Sequence, residues 1–241
     1  CATLIPLTLT KVAQPETPKA PRLRPMLAIS RSPLAAVGVV VAALSGASFR
    51  MTGPIFGQQV GLEITAIAYF LASFVLGGAI AQYPIGFIAD KIDRRWVLIW
   101  LSFAAIISCI VTANITTSNI YTLMITAGFF GFTTFPIFSV AAAHAHDFAK
   151  DYERVELSAA LMFFYAVGAI AAPYTASVLM ESFGPAALFY LIAFGHVALV
   201  VFGFYRMLSR PSVEEKTDYI YSPRTSFLIG RLLKSHHKDN K

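Results

Sequence analysis

The charged residues of this chain leave gaps, and the gaps have the length of a membrane crossing. No Asp, Glu, Lys or Arg occurs from Ser32 to Phe49, from Ile64 to Ala89, from Leu157 to Met180, or from Ser182 to Tyr205. A bilayer core about 30 Å thick needs about 20 apolar residues in helical form, so each gap accommodates one crossing. The uncharged run from Trp96 to His146 is long enough for two, and the polar break Asn114-Ile-Thr-Thr-Ser-Asn119 divides it. The pattern therefore predicts an all-α integral membrane protein, a bundle of six transmembrane helices near 33–58, 64–89, 96–113, 119–143, 156–181 and 185–207. Composition supports this: only 13% of residues are charged, about half the share in a soluble domain.

The basic residues give the bundle a direction. Of the 19 Lys and Arg, five precede the first helix (Lys11, Lys19, Arg22, Arg24, Arg31) and three follow the second (Lys91, Arg94, Arg95). Lys150 and Arg154 follow the fourth, and Arg206 through Lys241 follow the sixth, leaving Arg50 alone toward the other face. Short basic loops stay on the cytoplasmic side, so both ends are expected in the cytoplasm. The net charge of +6 is then a consequence of topology, and nucleic acid is not an expected partner.

The expected organisation has four parts. Residues 1–10 read as the end of a preceding transmembrane helix, because the chain opens on Cys1 without a Met and runs apolar. Residues 11–32 carry Pro15, Pro18, Pro21 and Pro25 among basic residues, which disfavours regular structure and fits a cytoplasmic linker. Residues 33–208 form the bundle. Residues 209–241 form a basic cytoplasmic tail, either disordered or with a short helix around Phe227–Lys234 on the anionic leaflet. Cys1 and Cys109 are too few and too separated for a disulfide framework or a metal site. No phosphate-binding Gly-Lys-Ser or Gly-Lys-Thr motif is present, so ATP does not drive this chain directly. No cofactor is expected.

Between the second and third helices stands Gly86-Phe-Ile-Ala-Asp90-Lys91-Ile-Asp93-Arg94-Arg95, preceded by Gln82-Tyr-Pro84. This resembles the cytoplasmic signature of the major facilitator superfamily: a Gly, an Asp four residues on, then a basic pair near a second Gly. Here Asp93 stands in place of the second Gly. Gly86 and Asp90 are one helical turn apart, so the glycine leaves room for a neighbouring helix on the face that presents the carboxylate. Asp90 is then suited to cap a partner helix or pair with an Arg and hold the cytoplasmic side closed. Lys91, Arg94 and Arg95 either join that gate or simply meet anionic headgroups. Phe135-Pro136, His144-Ala-His146-Asp147, Glu153-Arg-Val-Glu156, Tyr165-Ala-Val-Gly168, Ala172-Pro173 and Phe183-Gly184-Pro185 resemble the carboxy-terminal half of a poorly characterised bacterial permease subfamily. The resemblance implies half of a twelve-helix fold, a missing amino-terminal six-helix half as partner, a small-molecule solute, and a place in the bacterial inner (plasma) membrane.

Candidate solute-binding residues follow from polarity at membrane depth. The first helix offers Ser45, Gly46, Ser48 and Arg50, then Gly53-Pro54 and Gly57-Gln58, where its continuity is in question. Arg50 suits an anionic group, or its long side chain snorkels to the outer headgroups. Gln82 and Tyr83 in the second helix can hydrogen-bond a ligand, although a Tyr near an interface is commonly an anchor. Thr133 and Thr134 in the fourth helix are cavity candidates, beside Gly128 and Gly131, which fit helix packing. Coupling or gating needs a group that changes charge, and His144, Asp147, Glu156 and His196 are the candidates. His144 and His146 point to different sides of a helix, against shared metal ligation.

The leading expectation is a secondary transporter working by alternating access. A non-transporting assembly partner or receptor on the same fold is the alternative. No nucleophile, base and oxyanion group converge at readable spacing, so a membrane enzyme is not expected.

Overall fold

A computed structural model describes residues 23–115 and 120–209, without the side chains of residues 151 and 209. The described residues form seven α-helices and one 3-10 turn, in the order α1 (Pro25–Arg31), α2 (Pro33–Gln59), α3 (Ile64–Lys91), α4 (Arg94–Ala113), α5 (Ile120–His146), the turn Asp151–Glu153, α6 (Arg154–Phe183) and α7 (Ala187–Ser209). α2 to α7 are each long and apolar enough to cross a membrane, as the charge gaps predict. The expected segment 1–10, the linker before residue 23 and the tail beyond α7 lie outside the described residues.

Local chemistry sets the helix ends. Ser32 accepts a 3.1 Å hydrogen bond from the Ala35 N–H, and Pro33 follows at the first helical position, where its missing N–H costs nothing. Asp93 does the same for α4, accepting from the Arg95 N–H at 3.0 Å. Gly184 ends α6 at φ 87°, a conformation that a side chain would strain.

Two sequence expectations about regularity are corrected. Residues 25–31 are helical rather than irregular: Pro25 occupies the first turn, where proline is tolerated, and Ala28 is fully buried. α2 runs without a break through Gly53-Pro54 to Gln59. Proline removes only one helical hydrogen bond, that to the Arg50 carbonyl, and neighbouring helices hold the segment in register.

α2 is the most deeply buried of the six and is surrounded by α5, α6 and α7, while α3 packs along α5 and α4 along α7. Small residues permit the closest approaches. A Cβ on Gly77 would lie 1.9 Å from the Gly128 carbonyl oxygen, so α3 and α5 touch backbone to backbone. Near the end of α2 away from the termini, Phe49 packs on Phe70, Phe74, Phe130 and Phe189, with ring centroids 4.3 to 6.2 Å apart, joining α2, α3, α5 and α7. A second core of Leu34, Val97, Leu98, Ile137, Leu157, Leu161 and Leu199 fills the end nearer the termini. Outward faces remain apolar, with Leu76, Ile80, Ile125, Ile170 and Phe194 exposed, as lipid contact requires.

Candidate functional site

Ala42, Gly46 and Arg50 recur every fourth residue on α2 and so share one face. That face, with Thr134, Phe135 and Phe138 of α5 and Tyr165 of α6, lines a cleft of about 60 Å³. The Arg50 Nη2 donates a 3.1 Å hydrogen bond to the Tyr165 hydroxyl. Phe138 meets the Tyr165 ring edge-on at 5.3 Å and holds it in place.

The direction of the Arg50 side chain bears on whether it reaches the outer headgroups. A Cβ built on Gly46 would lie 3.5 Å from Nη2 and 3.7 Å from Cζ of Arg50. The guanidinium is therefore folded back over Gly46, near the middle of the 27-residue α2, and does not snorkel outward. Helical side chains lean toward the amino terminus of their own helix, which brings the Arg50 guanidinium back over the turn that holds Gly46.

The other cavity candidates separate. Thr134 lines the cleft, with its hydroxyl proton given to the Phe130 carbonyl at 2.8 Å. Thr133 is buried and bonds the same carbonyl at 3.0 Å, outside the cleft lining. Gln82 and Tyr83 of α3 are exposed, Tyr83 at 83%, and are not among the residues that line the cleft with Arg50. Tyr165 was not among the candidates from sequence. A phenol well inside an apolar helix, far from either interface, was the available signal.

His196 sits fully buried where α7 crosses α2, and its Nε2 lies 2.9 Å from the Ser45 Oγ. Ser45 gives its own proton to the Val41 carbonyl at 2.9 Å, which leaves its oxygen to accept from the His196 Nε2–H. This pair faces away from the cleft lining and has the form of a packing contact between two helices.

A charged cluster occupies the end of the bundle that carries the basic residues. Arg94, at the start of α4, binds Asp147 just beyond α5 through Nη1 and Asp90 on α3 through Nη2, the latter at 3.2 Å. Three elements thus meet on one guanidinium. Asp93, the departure from the signature, both caps α4 and grips Arg95, with Nη2 to Oδ2 at 2.7 Å. Burial raises the Asp93 pKa, but its side-chain and backbone hydrogen bonds to Arg95 outweigh burial and hold it below the ordinary value. Lys91 lies over the Phe87 ring at 4.0 Å. A Cβ added to Gly86 would meet no other described element within 4 Å, so none of these helices packs closely against that face of the glycine.

His144 is buried and packs edge-on against Phe148, whereas His146 reaches Ser158 at the start of α6, with Nε2 to Oγ at 3.1 Å. The two rings diverge, as their spacing predicts. Glu156 pairs with Arg24 at 3.5 Å, away from the cleft. Glu153, quoted in the sequence only within Glu153-Arg-Val-Glu156 and not among the site candidates, forms a closer pair with Arg31 at 2.6 Å and accepts from the Lys150 N–H at 3.2 Å. These bonds hold the Glu153 pKa below its ordinary value. Together the two pairs fasten α1 to the beginning of α6.

The fold and the placement of its polar residues define a multi-pass helical membrane protein with a polar cleft at mid-depth. Residues 35–237 match the family model of the Major Facilitator Superfamily, and the chain belongs to that family of transporters. Among its relatives is an uncharacterized MFS-type transporter of Enterobacter sp. (strain 638), 27% identical over 92% of this chain and 56% of the relative. The uncharacterized MFS-type transporter YcaD of Salmonella heidelberg (strain SL476) is 28% identical, and YcaD of Escherichia coli O17:K52:H18 (strain UMN026) is 29% identical. Each of those two matches covers 80% of this chain and 50% of the relative. The chain spans about half the length of the curated relatives it matches.

Proposed function

We propose that this chain is the carboxy-terminal half of a secondary transporter that carries a small solute by alternating access, with the Arg50 cleft as its share of the solute site. The supporting observation is the guanidinium turned to mid-depth in a cleft made by three helices, the depth at which alternating access requires a site to be reachable from both sides. The missing partner is an amino-terminal six-helix half, consistent with coverage of about half of each relative.

The basic end is the cytoplasmic one in this reading, with both ends of the chain there and the bilayer a bacterial inner membrane. Asp90, Arg94 and Asp147 act as a gate at that end, with Lys91 and Arg95 alongside. Opening inward changes the spacing of α3, α4 and α5 and so requires the shared Arg94 contacts to rearrange. The open space at Gly86 receives a helix of the other half. His196 serves packing, and Glu156 fastens α1.

Reconstitution of the full-length protein in proteoliposomes, followed by solute uptake under an imposed proton or sodium gradient, tests this. Gradient-dependent uptake is expected. Solute binding with no flux in either direction would instead favour a receptor or assembly partner on the same fold.

A further inference from the structure

We infer that the solute held at Arg50 is an organic anion, a carboxylate or phosphonate-type oxyanion on an apolar body; this rests on the reading of the cleft as a solute site. An arginine stays protonated under all physiological conditions, and Arg50 is exposed where it lines the cleft, so its charge is open to a ligand entering there. The one hydrogen-bond partner recorded for it among the described residues is the neutral Tyr165 hydroxyl. The nearest carboxylate along α6 is Glu156, nine residues or about 13 Å of helix from Tyr165 at 1.5 Å per residue, and it is engaged by Arg24. Glu181 lies farther along α6 on the other side, and Glu63 lies beyond the end of α2. Lipid headgroups are excluded by depth, because the guanidinium is folded toward the centre of α2 over Gly46.

The donors at this point match an oxyanion. Tyr165 accepts its hydrogen bond from Arg50, so the phenol proton is left to donate into the cleft. The planar guanidinium beside it presents further N–H groups in a fork suited to two oxygens of one group. Phe135 and Phe138 form the adjoining walls, which offer ring faces and methylene-sized contacts rather than polar partners. A ligand with an oxyanion at one end and an apolar or aromatic body at the other satisfies both parts.

The test uses the full-length protein and four probes of similar shape: benzoate, phenylphosphonate, neutral benzamide and cationic benzylamine. Thermal stabilisation and calorimetric titration read binding; proteoliposome uptake of labelled benzoate reads transport. The two anions are expected to bind and the other two not. Loss of charge-assisted hydrogen bonds should weaken anion binding by about tenfold or more in Arg50→Gln. Arg50→Lys should retain part of the affinity, and Tyr165→Phe should lose a few-fold while remaining folded, which keeps the inference testable if Arg50→Gln does not fold. Anion binding unchanged in both Arg50 variants, or preference for benzamide or benzylamine, or no binding of either anion, overturns it. Arg50-dependent benzoate binding without any uptake would uphold the ligand class and defeat the transport reading instead. Uptake of a neutral or cationic solute, indifferent to Arg50, would do the reverse.

Discussion

Gly131 of α5 lies so close to Phe74 of α3 that a Cβ on the glycine would sit 1.9 Å from the Phe74 carbonyl oxygen. Real atoms do not approach so closely, and the obstacle is backbone that cannot rotate away. Gly131→Ala and Gly77→Ala should therefore force α3 and α5 apart and destabilise the bundle, by about 1–3 kcal/mol as for other overpacked sites. Gly46→Ala and Gly86→Ala are the controls, since a Cβ at Gly46 makes ordinary contact and one at Gly86 meets nothing. Thermal unfolding of the four variants in detergent checks this; equal loss in all four would show that close approach is not what these glycines provide.

Arg94 is shared between Asp147 and Asp90, so the three residues should not behave additively. Asp147→Asn leaves Arg94 its Asp90 contact, whereas Arg94→Gln leaves two carboxylates near each other without a cation. Arg94→Gln should be the more damaging change. The groups are partly solvent-exposed, so a double-mutant cycle between Arg94 and Asp147 should give a coupling of about 0.5–1 kcal/mol, reduced by salt. The exchanged pair Arg94→Asp with Asp147→Arg should recover more stability than either single change.

The Arg31–Glu153 pair makes the docking of α1 depend on pH. The Glu153 pKa is lowered chiefly by its side-chain hydrogen bond to Arg31, so the pair's contribution is complete above the ordinary glutamate value of 4.5. It is lost as pH falls through the lower folded-state value. Amide exchange at Leu27 and Ala28, corrected for intrinsic rate, should show protection at pH 6 that declines below pH 4. Asp93 has the same sign, so Glu153→Gln is needed to assign the effect. In that variant protection should be weaker and nearly flat with pH.

Ser45 and His196 should be worth less as a pair than the loss of Ser45 alone suggests. Ser45→Ala strands the His196 Nε2–H in a fully buried seam, which should cost about 1–3 kcal/mol. Replacing both, as Ser45→Ala with His196→Leu, removes donor and acceptor at once and should cost less than Ser45→Ala alone. If the double variant is stable yet loses gradient-driven uptake, His196 has a part in coupling that packing does not explain.

Much of the framework was legible in one dimension. The ends of α2 to α7 lie within a few residues of the charge gaps, because the cost of a charge in hydrocarbon is set residue by residue. Residues 25–31 differ from the expected irregular linker, since four prolines signal irregularity while Pro25 sits in the first helical turn, where its missing N–H costs nothing. Gly53-Pro54 put the continuity of α2 in question for a similar reason, although the helix, packed against three others, continues through it.

The amino-acid sequence alone determined that the chain crosses a membrane six times and carries one arginine apart from all its other basic residues. Those properties depend on which residues are apolar, not on where they point. Only the tertiary structure decided that Arg50 meets Tyr165, that Gln82 and Tyr83 stand apart from the cleft lining, and that Arg94 gathers acids from two other segments. Successive residues on a helix turn by about 100°, so the direction of each side chain depends on which faces the neighbouring helices cover. On α2 and α5 those faces are chosen by small residues and phenylalanines acting together, and that choice places Arg50 and Thr134 in one cleft.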